Sequence, residues 1–298
     1  MVSYIEGIAF GILAGMLNYL GQVLQKKAIN DTPPEARDKG LVKKLVRNKT
    51  WLLGIACVVG FSSVFLLIAQ ASIGGALMPG LMASGFIILA IGSVKILKEF
   101  LKIFEIIAII LLMVAITLIG LSQLSIAGSL TYFEDNAFNV RIAIFSIIFT
   151  ALWLGFFYAG RKIKKYNSIM LALGTGFPFV VGNIWLQPFI ISITAVFGGS
   201  ASVFEWVVFL IAAVITVLAN VIGLGHLQYA LNAGNASIVV PVQQIPQQIA
   251  PILIYFLIYQ FPAPTEYSVY LMTIGIGLIC IAGFFLGKRQ ATLEQIKS

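Results

Sequence analysis

The longest stretch of this chain without an Asp, Glu, Lys or Arg runs from Trp206 to Thr265, 60 residues. Thr50–Val94 adds 45 and Tyr166–Phe204 a further 39, with shorter runs at Gly7–Gln25, Ile106–Phe133, Ile142–Gly160 and Tyr267–Gly287. About 20 apolar residues carry a helix across a bilayer's hydrocarbon core, so each run holds one to three crossings. Only 10% of the 298 residues are charged and 60% are hydrophobic, whereas soluble domains run about 25% charged. A soluble enzyme and a nucleic-acid binder are excluded, despite a net charge of +8. The expected fold class is all-α integral membrane.

Breaks at Gly, Asn, Pro and charged clusters place nine transmembrane helices, near residues 4–25, 51–71, 76–95, 102–123, 141–160, 168–193, 206–230, 237–260 and 267–287. The run from Tyr166 to Phe204 admits one long helix or two short ones. Basic residues decide between them. With one helix there, every lysine and arginine except Arg141 falls on a single side. With two, the tail's Lys288, Arg289 and Lys297 join Arg141 opposite. The positive-inside rule favours nine helices, the N-terminus outside and the C-terminus cytoplasmic, in the plasma membrane. The chain then reads as a single membrane domain over 1–298, with a cytoplasmic basic loop at 26–50 and a cytoplasmic tail at 288–298. Within that loop Leu41, Val42, Leu45 and Val46 oppose Lys39, Lys43, Lys44 and Arg47. That pattern suits a solvated basic loop or a segment lying on anionic headgroups.

Two tight joints, Ser72-Ile73-Gly74-Gly75 and Asn232-Ala233-Gly234-Asn235, resemble each other. Laying one on the other pairs Ala71, Gly74, Gly75 and Pro79 with Ala233, Ala236, Ser237 and Pro241. A neighbouring register pairs Gly21-Gln22 with Gly182-Asn183. The paired segments are an odd number of helices apart and cross the membrane in opposite directions. This is the pattern of an inverted repeat, about 4–160 and 168–287, with the tenth helix missing. Transporters built this way place their site between the repeats near the midplane.

No acidic residue falls deep within an expected helix; the polar groups there are amides. Asn18, Gln22 and Gln25 share one face of the first helix, and Asn183 and Gln187 repeat the spacing in the sixth. Gln228 and Asn232 do the same in the seventh. The densest feature is Pro241-Val242-Gln243-Gln244-Ile245-Pro246-Gln247-Gln248-Ile249-Ala250-Pro251. Its prolines remove backbone donors and free carbonyls one turn earlier, so Pro79, Pro241, Pro246 and Pro251 are expected hinges or helix breaks. Gln244 and Gln248 share a face that Tyr255 and Tyr259 continue, and Gln243 and Gln247 form a second. Candidate substrate ligands are Gln243, Gln244, Gln247, Gln248, Asn18, Gln22, Asn183 and Tyr255. The alternative is that these amides bridge helices. His226, the sole histidine, has no evident relay partner, and the Gly7, Gly11, Gly15 stripe reads as close helix packing.

Several of these segments also carry a family resemblance. Gln25-Lys26-Lys27 ends the first helix, Trp51–Gly60 follows, and Pro79 comes after the Gly74-Gly75 joint. Lys98-Glu99 closes the third helix. Tyr229-Ala230-Leu231-Asn232-Ala233 then leads through Ser237-Ile238-Val239-Val240-Pro241 into the eighth. In this order, over nearly the whole chain, they resemble the NIPA magnesium-transporter family of the drug/metabolite transporter (EamA-like) superfamily. The resemblance implies Mg²⁺ transport and a nine-helix carrier. The chain departs from it where the family has Gly-Glu and Asn-Phe pairs and this sequence reads Gly60-Phe61 and Val64-Phe65. Gln243 and Gln244 also stand where the family tends to aromatic residues.

The expected function is a carrier moving a small neutral or zwitterionic solute by alternating access, with Mg²⁺ as the alternative. No cofactor and no enzymatic activity are expected, and the sequence assigns no metal site. A membrane-embedded enzyme lacks a nucleophile–base pair, and a non-transporting scaffold is the other alternative. Expected partners are the small-molecule or ion substrate, the lipid bilayer and a second copy in a homodimer, with no nucleic acid.

Overall fold

Five of the eleven acidic residues sit where a helix needs a partner for its first amides. Ser3 and Glu6 cap each other's amides at the start of helix α1 (Tyr4–Asn30), and Ser202 and Glu205 do the same for α7 (Val203–Ala233). Asn48 caps α2 (Lys49–Ile73), Asp135 caps α5 (Asn136–Lys162), and Glu105 accepts from the Lys102 amide at the start of α4 (Ile103–Leu121). The remaining long helices are α3 (Met78–Lys95), α6 (Asn167–Phe197), α8 (Ala236–Leu253) and α9 (Ser268–Lys297). The computed structural model describes residues 3–33, 37, 40–73, 77–124, 130–199 and 201–297. Among these there is no strand. Gly74, Gly75 and Lys39 lie outside the described residues.

Eight of the helices are long and apolar enough to cross a membrane: all but α8, whose four glutamines and three prolines dilute its hydropathy. The doubtful run forms one helix, α6, of 31 residues, with Pro178 and Pro188 inside it. Pro241, Pro246 and Pro251 likewise do not break α8, contrary to expectation. Each proline forfeits a single hydrogen bond while its neighbours keep theirs, and surrounding protein or a cavity can meet the freed carbonyl. The irregularity comes just after the last proline, where Ile254–Ile258 forms a π-helical turn. A second π turn, Ala56–Phe61, interrupts α2. Pro79 stands in the first turn of α3, where its missing N–H costs no helical bond. The expected tail is not separate: α9 continues through it to Lys297.

The packing pairs follow from small residues. A Cβ at Gly7 would meet Ile73 Cγ2 at 2.7 Å, one at Gly11 would meet Leu81 Cδ1 at 2.8 Å, and one at Gly15 would strike the Met82 carbonyl. The glycine stripe therefore seats α1 against α2 and α3. Gly176 does the same for α6 on α8, since a Cβ there would lie 2.7 Å from Gln243 O. α6 also packs on α5 and α7, and α4 lies along α9. The main core joins Tyr19, Phe86, Leu112, Leu231 and Ile238 from five helices. Outside it, Leu210, Val214, Val217, Leu218 and Val221 form an exposed apolar stripe on α7. A stripe of that size is a liability in water and a lipid-facing wall in a membrane. Leu41 and Leu45 are buried in the main core, so the short helix between α1 and α2 turns its apolar side inward.

Candidate functional site

Six amides from four helices converge on one cavity of about 310 Å³. α1 supplies Asn18, α2 Gln70, α6 Asn183, and α8 Gln244, Gln247 and Gln248. Tyr19, Met78, Pro79, Met82, Ile116 and Pro251 are among the residues that complete the wall. Among the described residues no charged side chain lines it. Five of the expected ligands are thus brought together, along with Pro79 and Pro251. Their positions along the helices put Asn18, Asn183 and Gln244 at mid-length. Gln70 and Met78 lie toward the end opposite Lys26.

The hydrogen bonds divide the amides by task. Gln22 Nε2 donates to Asn18 Oδ1 at 2.7 Å, so Gln22 stands behind the wall and orients Asn18. Gln248 Nε2 lies 3.4 Å from Gln244 Oε1, a stretched contact. The buried Nε2 of Gln247 has no protein partner. A buried donor left unmet costs about 1–3 kcal/mol, and here it belongs to a residue on a cavity wall.

Besides Gln22, two expected ligands fall elsewhere. Gln243 is 3% exposed and packs behind the cavity, its backbone carbonyl against Gly176. Tyr255 is buried, and its hydroxyl donates to Pro262 O at 2.9 Å, holding the loop after α8. His226 sits among Trp153, Phe157 and Thr175, away from the cavity. Conversely, Gln70 was not singled out from sequence. As the only amide in α2 it carried a signal, one turn before the joint to α3.

Toward the end carrying Lys26, Lys102 and Lys162, a chain of hydrogen bonds ties α1, α2 and α7 together. Trp51 Nε1 donates to Gln228 Oε1 at 3.0 Å, and Gln228 Nε2 donates to Gln25 Oε1 at 2.7 Å. Gln25 and Gln228 are fully buried. Beyond them the break between α7 and α8 is held at both helix ends. Lys26, 7% exposed, donates from Nζ to Leu231 O at 2.5 Å and Gly234 O at 2.8 Å, capping α7. Glu99 accepts from the amides of Ala236 at 2.7 Å and Ser237 at 3.1 Å, capping α8. Each charge matches the dipole end it meets: cation at a C-terminus, anion at an N-terminus. Lys98 takes a left-handed conformation, φ 59°, as the chain turns to present Glu99. A non-glycine residue held there costs about 1–3 kcal/mol and marks a position that its surroundings over-determine. Arg141 does the same work at the far end, donating from Nε to Ile258 O at 2.9 Å.

In comparisons with family models, curated proteins and solved structures, none matches this chain. The functional reading therefore stands on the residues and their arrangement.

Proposed function

We propose that this protein is a membrane carrier of the drug/metabolite transporter type, moving a small neutral or zwitterionic solute by alternating access. The observation that carries the reading is the uncharged cavity in which amides of α1, α2, α6 and α8 meet. Amides offer both donors and acceptors, as a sugar, polyol or zwitterion requires, and 310 Å³ suits a small metabolite. No carboxylate lines the wall to offset a divalent cation, so the magnesium reading rests on the NIPA resemblance alone.

The packing supports an inverted repeat of nine crossings, with α8 the ninth. α1 meets α2 and α3 as α6 meets α7 and α8, while α4 lies on α9, its counterpart in the other half. The cavity lies between these halves. With the N-terminus outside, the end bearing Lys26 is cytoplasmic. The structure then corresponds to a state closed toward the cytoplasm by Lys26, Glu99 and the Gln25–Gln228–Trp51 chain. Opening releases α7 and α8 from those caps.

The test is uptake into liposomes containing the purified chain. Neutral sugars, polyols and zwitterionic amino acids are first ranked by thermal shift, since a ligand stabilises in proportion to its occupancy. The best stabiliser should then be taken up faster than by empty liposomes. A chain that binds such a solute without flux is a scaffold or receptor, and the carrier reading fails.

A further inference from the structure

A second cavity, about 250 Å³, lies between the start of α4 and the far end of α9. It is built differently from the first. Lys102, Lys288 and Arg289 line it together with Phe104, Phe284, Phe285 and Thr292. The Phe104 and Phe285 rings stack with centroids 6.2 Å apart. Phe104 is 57% and Phe284 67% exposed. Below them, along the same two helices, Ile103, Ile107, Ile110 and Ile281 continue an exposed apolar surface.

Among the described residues the charges at this cavity do not balance. Glu105, 1% exposed, is the carboxylate beside the cavity, and it is already committed. One oxygen meets Arg289 Nε at 3.1 Å and the other accepts from the Lys102 amide at 2.7 Å. Among the described residues neither Lys102 nor Lys288 has a carboxylate within 4.0 Å. Among the described residues two ammonium groups therefore stand at this cavity without a counter-ion, beside a guanidinium that pairs with Glu105.

We propose that this cavity binds an anionic phospholipid, the phosphate among Lys102, Lys288 and Arg289 and the acyl chains down the face of α4 and α9. The cations select a phosphate-bearing anion, and the phenylalanine wall with its apolar continuation selects one that carries hydrocarbon. A soluble phosphate would use the first feature and waste the second. Basic pockets between membrane helices on the cytoplasmic side are suited to such headgroups, because anionic lipids are concentrated in that leaflet. The proposal rests on the membrane orientation given above and is independent of the transported solute.

Native mass spectrometry of the purified full chain tests it, with phosphatidylglycerol and phosphatidylcholine of identical acyl chains as probes. Phosphatidylglycerol should be retained well above phosphatidylcholine. The preference should fall by about fivefold for each lysine removed in Lys102→Gln and Lys288→Gln. Both variants keep the Arg289–Glu105 pair, so the fold is left intact. Lys43→Gln/Lys44→Gln, on another exposed segment of the same end, should keep the preference. Equal retention of the two lipids overturns the proposal, as does an equal loss in the Lys43/Lys44 control. Displacement of phosphatidylglycerol by excess inorganic phosphate overturns it too, by assigning the cavity to a soluble anion. Lipid preference without solute flux leaves this site standing and removes the carrier, and flux without lipid preference does the reverse.

Discussion

The Nε2 group of Gln247 is a donor that the protein buries and does not pair. Gln244 and Gln248 stand nearby, with only a 3.4 Å contact between them. Such groups are poorly explained as glue between helices, where an amide contributes about 0.6 kcal/mol by finding a partner. They suit a site whose partner is a solute. Replacing Gln244 or Gln248 by Ala should weaken solute affinity by up to about tenfold, one hydrogen bond of roughly 0.5–1.5 kcal/mol, at nearly unchanged folded yield. Tyr255→Phe gives the contrast. It frees Pro262 O outside the cavity, so it should lower thermal stability by about 1 kcal/mol and leave affinity unchanged. Uptake KM and melting temperature, measured side by side, separate the two. If Gln248→Ala loses yield and uptake together, the amides are bridges.

At the scale of elements, the decisive feature is the α7–α8 break with a charge on each helix end. Glu99→Gln keeps an acceptor but removes the charge that favours the α8 N-terminus, worth about 0.3–1 kcal/mol and more where partly buried. In a background lacking Cys57 and Cys280, a single cysteine at Asn235 should then react faster with a polar thiol reagent from the cytoplasmic side. Unchanged reactivity would mean the cap does not hold the break closed. How far this was readable without coordinates depends on the feature. That the chain folds into long apolar helices was legible because desolvation acts on length and composition, and the charge-free runs leave few other solutions. On α8, Gln244 and Gln248 were legible because residues four apart share a face, whereas Gln243 and Gln247, also four apart, part company, one packed behind the cavity and one on its wall. The fate of each amide on α1 was not. Asn18 and Gln25 lie about 10 Å apart along the helix axis, so one reaches the cavity and the other Gln228, and only the neighbouring helices decide which. The proline breaks were misread because a lost backbone bond is a local quantity, whereas helix continuity in a membrane is settled by what surrounds the freed carbonyl.

For the whole molecule, the basic asymmetry sets one expectation and the cavity another. Lys43 and Lys162 should face the cytoplasm and Glu134 the outside, all three being exposed. Single cysteines at these positions, labelled in intact cells with an impermeant reagent, check this, and labelling at Lys162 from outside would overturn nine crossings. The solute is the harder question, because resemblance and chemistry disagree. Mg²⁺ sheds water reluctantly and is usually held by one or two carboxylates with several waters retained. Among the described residues the polar side chains of the cavity wall are six amides and Tyr19, with no carboxylate. Among the described residues no group of three His, Cys, Asp or Glu is placed to hold a metal ion. Partial charges alone leave a divalent ion in a low-dielectric site without formal compensation, which is costly. Two carboxylates that could have offered charge are engaged elsewhere: half-buried Glu99 caps α8, and buried Glu105 pairs with Arg289. Liposomes loaded with a Mg²⁺-sensitive dye should accordingly show little uptake down a millimolar gradient, while the best organic stabiliser is transported. Robust Mg²⁺ entry abolished by Gln248→Ala would reverse that order. It would mean that the hydrated ion passes whole, bound through its water shell to the six amides.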